Sequence, residues 1–96
     1  MENSMQSLRI LSKGRIIDLS QGFSLGGRVF SIFVKLKAAT METNTLVKCK
    51  LICDDAESDF PVPIGDWTPG AIVKISPNGI SLADFDVYWG AGETIK

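Results

Sequence analysis

Ninety-six residues, 45% of them hydrophobic and 22% charged, supply one folded core and not two. The net charge is −1 and histidine is absent, which removes the commonest general base, the base of a Ser-His-Asp triad and the commonest metal ligand. Uncharged stretches such as residues 19–27 fall far short of the ~20 apolar residues that span a bilayer. The polar start, carrying Glu2, is the reverse of a secretory leader, so the chain is expected to stay in the cytoplasm unless a particle carries it out.

One domain is expected over residues 1–96, with 1–6 as a flexible tail. Residues 7–12 and 15–19 read as two short strands broken at Lys13-Gly14, and 20–27 (SQGFSLGG) as a loop. In residues 28–39, Phe30, Ile32, Val34, Leu36 and Ala38 fall on one face, and Ser31, Lys35 and Lys37 on the other. That period of two is the mark of a half-buried strand. Residues 45–53 alternate again, with Val47, Cys49, Leu51 and Cys53 inward and Lys48 and Lys50 outward. The short polar link between the runs predicts a hairpin, which would gather Lys35, Lys37, Lys48 and Lys50 on one outer face. Cysteines four apart on a strand stand roughly 13 Å from each other, too far for a bridge, so both are read as buried reduced thiols.

Residues 60–64 carry Pro61 and Pro63, which limits this piece to an edge strand or an extended connector. Thr68-Pro69-Gly70 fits a type II turn, and residues 71–76 follow as a strand with Val73 and Ile75 inward. Pro77-Asn78-Gly79 is a second turn, and 80–83 a short strand or a crossing loop. Residues 84–89 place Phe85, Val87 and Trp89 inward, Asp84 and Asp86 outward. No window shows a helical period. The expected fold is all-β, a single small antiparallel β-sandwich or jelly-roll-like barrel of about seven strands. Its predicted core is Ile10, Ile16, Phe30, Ile32, Val34, Leu36, Val47, Cys49, Leu51, Val73, Ile75, Phe85, Val87 and Trp89.

Candidate chemistry is sparse. Cys-x-x-x-Cys without a second pair or a histidine does not complete a zinc site, and no phosphate-binding glycine motif is present. Neither an enzyme nor a cofactor is expected. Asp55, Glu57 and Asp59, with Asp54 and Asp66 nearby, are oxygen ligands that could hold Ca²⁺, but Phe60 stands where an EF-hand needs glycine and Pro61 follows. The plainer reading is a solvated acidic loop. Asp84 and Asp86, about 7 Å apart on one strand face, have a spacing glycoside hydrolysis permits, and are equally what a solvent-facing strand shows. The lysine stripe could meet phosphates. It has no solvent-facing aromatic companion beyond Phe33, so it reads as a solubilising face and argues against a nucleic-acid partner. Trp67, in a turn, either closes the core or anchors a neighbour. Charge is split: residues 1–50 hold eight basic against three acidic groups (+5), residues 51–96 two against eight (−6). That pattern either pairs strands within a sheet or gives the molecule opposite poles.

From Asp59 the chain runs DFPVPIGDWTPGAIVKISPNGISLADFDVYWGAG. Phe60-Pro61-Val62-Pro63-Ile64-Gly65, then Ala71-Ile72-Val73-Lys74-Ile75, then Asp86-Val87-Tyr88-Trp89 resemble the end of a group of small phage virion proteins, β-sandwiches of tail-spike bases and particle surfaces. Where that group often has a Thr/Gly-rich second turn, this chain has Ser76-Pro77-Asn78-Gly79. The resemblance covers about the last third of the chain. It implies a virion component, homo-oligomeric (a trimer by that group's habit) and docked on larger virion proteins. Interface candidates are Trp67, Phe60, Pro61, Pro63, Lys48 and Lys50. The alternatives are a free-standing binding module for carbohydrate, protein or nucleic acid, and a small hydrolase using Asp84 and Asp86 or the acidic cluster Asp54, Asp55, Glu57 and Asp59.

Overall fold

The chain forms seven strands, β1 (Ser7–Ile16), β2 (Phe23–Ser24), β3 (Ser31–Leu36), β4 (Asn44–Leu51), β5 (Ser58–Pro63), β6 (Ile72–Ile75) and β7 (Phe85–Ile95), of which the short β2 lies inside the segment 20–27 predicted as a loop, where Phe23 and Ser24 pair with Ile75 and Lys74. The computed structural model describes residues 7–37, 43–68 and 70–95; the tail at 1–6, the Ile10 and Ala38 side chains and Pro69 of the predicted turn lie outside the described residues. The strands make two antiparallel sheets, one of order β1-β7-β3 and one of order β2-β6-β4-β5. Their inner faces pack as a sandwich with a radius of gyration of 13.0 Å, what a chain of this length reaches when fully collapsed.

The core lies between the sheets. Ile16, Phe30, Ile32, Val34, Phe85, Val87 and Ala91 come from the three-stranded side, and Val47, Cys49, Val62, Ile72 and Ile75 from the other. Leu36, Leu51 and Trp89, predicted in the core, pack on its margin half-buried. Each fully buried aliphatic side chain contributes about 1.5–3 kcal/mol relative to exposure, so this layer dominates stability.

Several expectations are corrected. The predicted hairpin does not form: β3 pairs with β7, and β4 pairs with β5 and β6. Both strands carry one apolar face, and placing them in opposite sheets lets those faces meet each other. Lys35 and Lys37 therefore lie on one outer face and Lys48 and Lys50 on the opposite one. The expected break at Lys13-Gly14 is instead continuous strand: Gly14 pairs with Trp89, and the indole occupies the space a side chain would need. Val73 is displaced from the core by Ile72. A register shift, with Lys50 opposite Lys74 but Leu51 opposite Ile72, makes Val73 the extra residue of a bulge and turns both Ile72 and Ile75 inward. Cys53 lies past the end of β4 and is exposed, while Cys49 is buried; both are free thiols.

Other expectations hold. β5, with its two prolines, is an edge strand. Gly79 N–H donates to the Ser76 carbonyl at 2.9 Å, closing the Ser76–Gly79 turn with Asn78 at φ 54°. Residues 80–83 are a connecting loop.

A strap formed by residues 64–68 positions the functional surface. After β5 the chain crosses to the open edge of β3, where Gly65 N–H donates to Val34 O at 2.8 Å and Thr68 N–H to Ile32 O at 3.0 Å. The buried Thr68 completes the join: its Oγ1 accepts from Ile32 N at 3.0 Å, and its carbonyl accepts from Ser31 Oγ at 2.7 Å. Phe30 and Ile72 then exchange two backbone hydrogen bonds, tying β3 to β6 across the sandwich.

Candidate functional site

The outer face of the three-stranded sheet carries a row of aromatic side chains. Val34 and Val87 are register partners and both point inward, so their neighbours Phe33 and Tyr88, also partners, both point outward. Tyr88 in turn faces Arg15 on β1. On the other side, the strap bridges Trp67 to Phe33, with ring centroids 5.5 Å apart at 60°. Arg15, Tyr88, Phe33 and Trp67 thus run in one line across the sheet. Neighbouring strands lie about 4.8 Å apart, so the line spans roughly 15 Å. All three rings are partly exposed.

Cations flank the row. Lys13, Arg15, Lys35 and Lys37 are exposed, with Lys13 and Arg15 on the same face of β1 and Lys35 beside Asp86 in the β3–β7 register. Asp86 is the one carboxylate among them in the described residues: Arg15 Nη2 lies 2.6 Å and Lys37 Nζ 3.9 Å from its Oδ1. These three groups rim a recess of about 120 Å³ floored by Phe85 and Leu82. A larger shallow cleft, about 500 Å³, opens beside it among Ile17, Leu19, Asn78, Ile80 and Leu82.

The remaining candidates are dispersed. Trp67 belongs to this surface. Lys48, Lys50, Pro61 and Pro63 belong to the opposite outer face, where Lys48 faces Asp59 and Leu46, 58% exposed, faces Pro61. Phe60 pairs with Val47 and packs, partly buried, against the core. Asp55, Glu57 and Asp59 do not converge: among the described residues no three His, Cys, Asp or Glu side chains come together. Asp54 Oδ2 accepts from Leu51 N at 3.0 Å, and Glu57 pairs with Lys74 at 3.0 Å. The hydrogen bond from Lys74 holds the Glu57 carboxyl below its ordinary range. Asp84 sits in the turn before β7, Asp86 on the strand, and neither cleft is lined by both.

Sequence reading singled out Phe33 but left it alone, because nothing local shows that β3 lies beside β7. The only available signal for Tyr88 was parity: with Phe85, Val87 and Trp89 inward, Tyr88 must face out. No known family, curated protein or solved structure matches the chain. The resemblance to phage-particle proteins rests on its motif residues alone.

Proposed function

We propose that this protein is a non-catalytic recognition module and that its working surface is the outer face of the three-stranded sheet. The carrying observation is the line Trp67–Phe33–Tyr88, held in register by β3, β7 and the strap. Large aromatics left partly exposed on a rigid sheet are what binding surfaces use, because they offer contact area at little entropic cost. Rigidity comes from the backbone bonds that fix Trp67, not from a mobile loop. The test is a panel of immobilised glycans, single-stranded oligonucleotides and peptides probed with wild-type protein and with a Phe33→Ala/Tyr88→Ala variant of verified fold. Retention on one class by the wild type, lost in the variant, is expected. Equal retention of both proteins would overturn the reading.

A second reading, the subunit of a phage particle, is favoured by a different feature. β1 is a ten-residue edge strand with no partner on its outer side among the described residues, and a bulge there leaves Leu11 66% exposed. An open edge of this length is a template for adding a strand from another chain. In that reading copies of this chain, or a larger particle protein, pair along β1.

A further inference from the structure

We infer that the aromatic row binds single-stranded nucleic acid, its rings stacking on bases and its flanking cations meeting the phosphates. This rests on the recognition reading above and names the class of ligand.

Three observations select this ligand. First, the rings form a line and not a pocket. Tyr88 and Phe33 are neighbours on adjacent strands and Trp67 continues past the edge of β3, so successive flat groups of an extended ligand can each find a ring. Aromatic side chains on an open sheet face take up two or three unstacked bases in this way. Second, cations outnumber carboxylates on this face. Lys13, Arg15, Lys35 and Lys37 surround the row, against Asp86 alone among the described side chains of the strands between them; Asp66 and Asp84 stand at the margins. A whole-molecule charge of −1 therefore conceals a locally basic face. Arg15 and Lys37 share the single carboxylate of Asp86, so the face keeps cations in excess that a neutral sugar would not engage, whereas a phosphodiester backbone supplies one anion per nucleotide. Third, the opposite outer face differs in kind. There Lys48 faces Asp59 and Lys74 holds Glu57, and among the described residues no line of partly exposed rings crosses it. A duplex hides its bases inside the stack and would use only the cations.

The experiment titrates the full chain with dT15, U15 and a 15-base-pair duplex, following tryptophan emission at low salt. Quenching by the single strands is expected, with log K falling against log salt with a slope of about −2 to −3 if three or four cations act, at ~0.7 per phosphate. Phe33→Leu, which keeps the apolar volume but removes the stacking ring, should weaken binding roughly tenfold, as should Tyr88→Ala. Lys35→Glu/Lys37→Glu should flatten the salt slope, Asp86→Asn should tighten binding, and Lys48→Glu/Lys50→Glu should change little. The DNA and RNA arms show which strand is preferred. No quenching at about 100 μM oligonucleotide, the weak end of non-specific binding, would overturn the inference. So would equal affinity for the duplex, or loss through Lys48 and Lys50 in place of Phe33. Phe33-dependent capture of a glycan or peptide alone would overturn the ligand class while leaving the recognition reading standing. Loss of Phe33 dependence for every probe would overturn both.

Discussion

A β-carbon built on Gly14 falls 2.6 Å from Nε1 and 2.9 Å from Cε2 of Trp89. The indole has little room to give way, because its other neighbour is Phe23, centroids 6.1 Å apart, which itself packs edge-on against Phe30. Gly14→Ala is therefore expected to cost about 1–3 kcal/mol in urea denaturation, the usual scale of overpacking. Pairing it with Trp89→Leu should recover part of the loss. Cysteine reactivity separates the two thiols. Cys49 is pushed up to about 11 by burial first, with Asp54 and Asp59 adding to it, while Cys53 is exposed. One thiol per chain should react with an aromatic disulfide reagent in native buffer at pH 8, and both after denaturation; two fast native thiols would contradict the packing. Because the folded pKa of Cys49 is raised, its contribution is intact below the ordinary value of 9.0 and is lost as pH climbs towards about 11. Cys49→Ala should flatten that alkaline limb in a stability–pH profile. The acid limb has the opposite sign. Asp18, whose carboxylate accepts from Ser20 N–H at 2.9 Å, and Glu57 beside Lys74 both titrate below their ordinary values of 3.8 and 4.5. What they add is present above those values and fades as the carboxylates protonate.

Among the elements, the strap depends most on a single side chain. Thr68→Val removes the acceptor for the buried Ile32 N–H, and an unsatisfied buried donor costs about 1–3 kcal/mol. Trp67, adjacent in the chain, should lose its fixed contact with Phe33, so its emission is expected to shift towards that of a solvated indole, while Thr68→Ser should restore both stability and spectrum. Nothing local announced this element. The Pro61/Pro63 pattern identified an edge strand, but the hydrogen bonds that carry residues 64–68 onto β3 join positions more than 30 apart. The same limit governed the pairing of strands. Alternation in β3, β4 and β7 was legible because it records which face is buried, and most of the core followed from it. Which strand lies beside which is a choice among similar apolar ribbons, and proximity in sequence favoured a hairpin that sandwich packing rejects. Local irregularities were equally silent: the bulges at Leu11 and Val73 shift side chains between faces without any breaker residue. For the same reason the functional row was visible only as separate aromatics, since its members come from three distant segments.

Across the whole molecule, part of the split of charge between the two halves of the sequence is met within the sheets. Basic residues of the first half meet acidic residues of the second: Arg15 and Lys37 at Asp86, Lys35 beside Asp86, Lys48 beside Asp59. If copies associate, the contact should follow the β1 edge. Sedimentation should then show species above 10.4 kDa that Leu11→Lys returns to monomer while Trp67→Ala does not; a wild type that stays monomeric at high concentration would remove the particle-subunit reading.

The central place of β7 has a further consequence, for synthesis. Its residues are the last of the seven strands to leave the ribosome, yet they join β1 to β3, which otherwise share no edge. Until then β1 and β3 wait with their apolar faces uncovered and no ladder between them. This sheet therefore closes only once β7 is available, with the slow, all-or-none kinetics of sequence-distant pairing, on the order of milliseconds to seconds. A ribosome stalled with residues 1–84 outside its tunnel should yield a protease-sensitive chain, and protection should arrive in one step once residues 85–95 emerge.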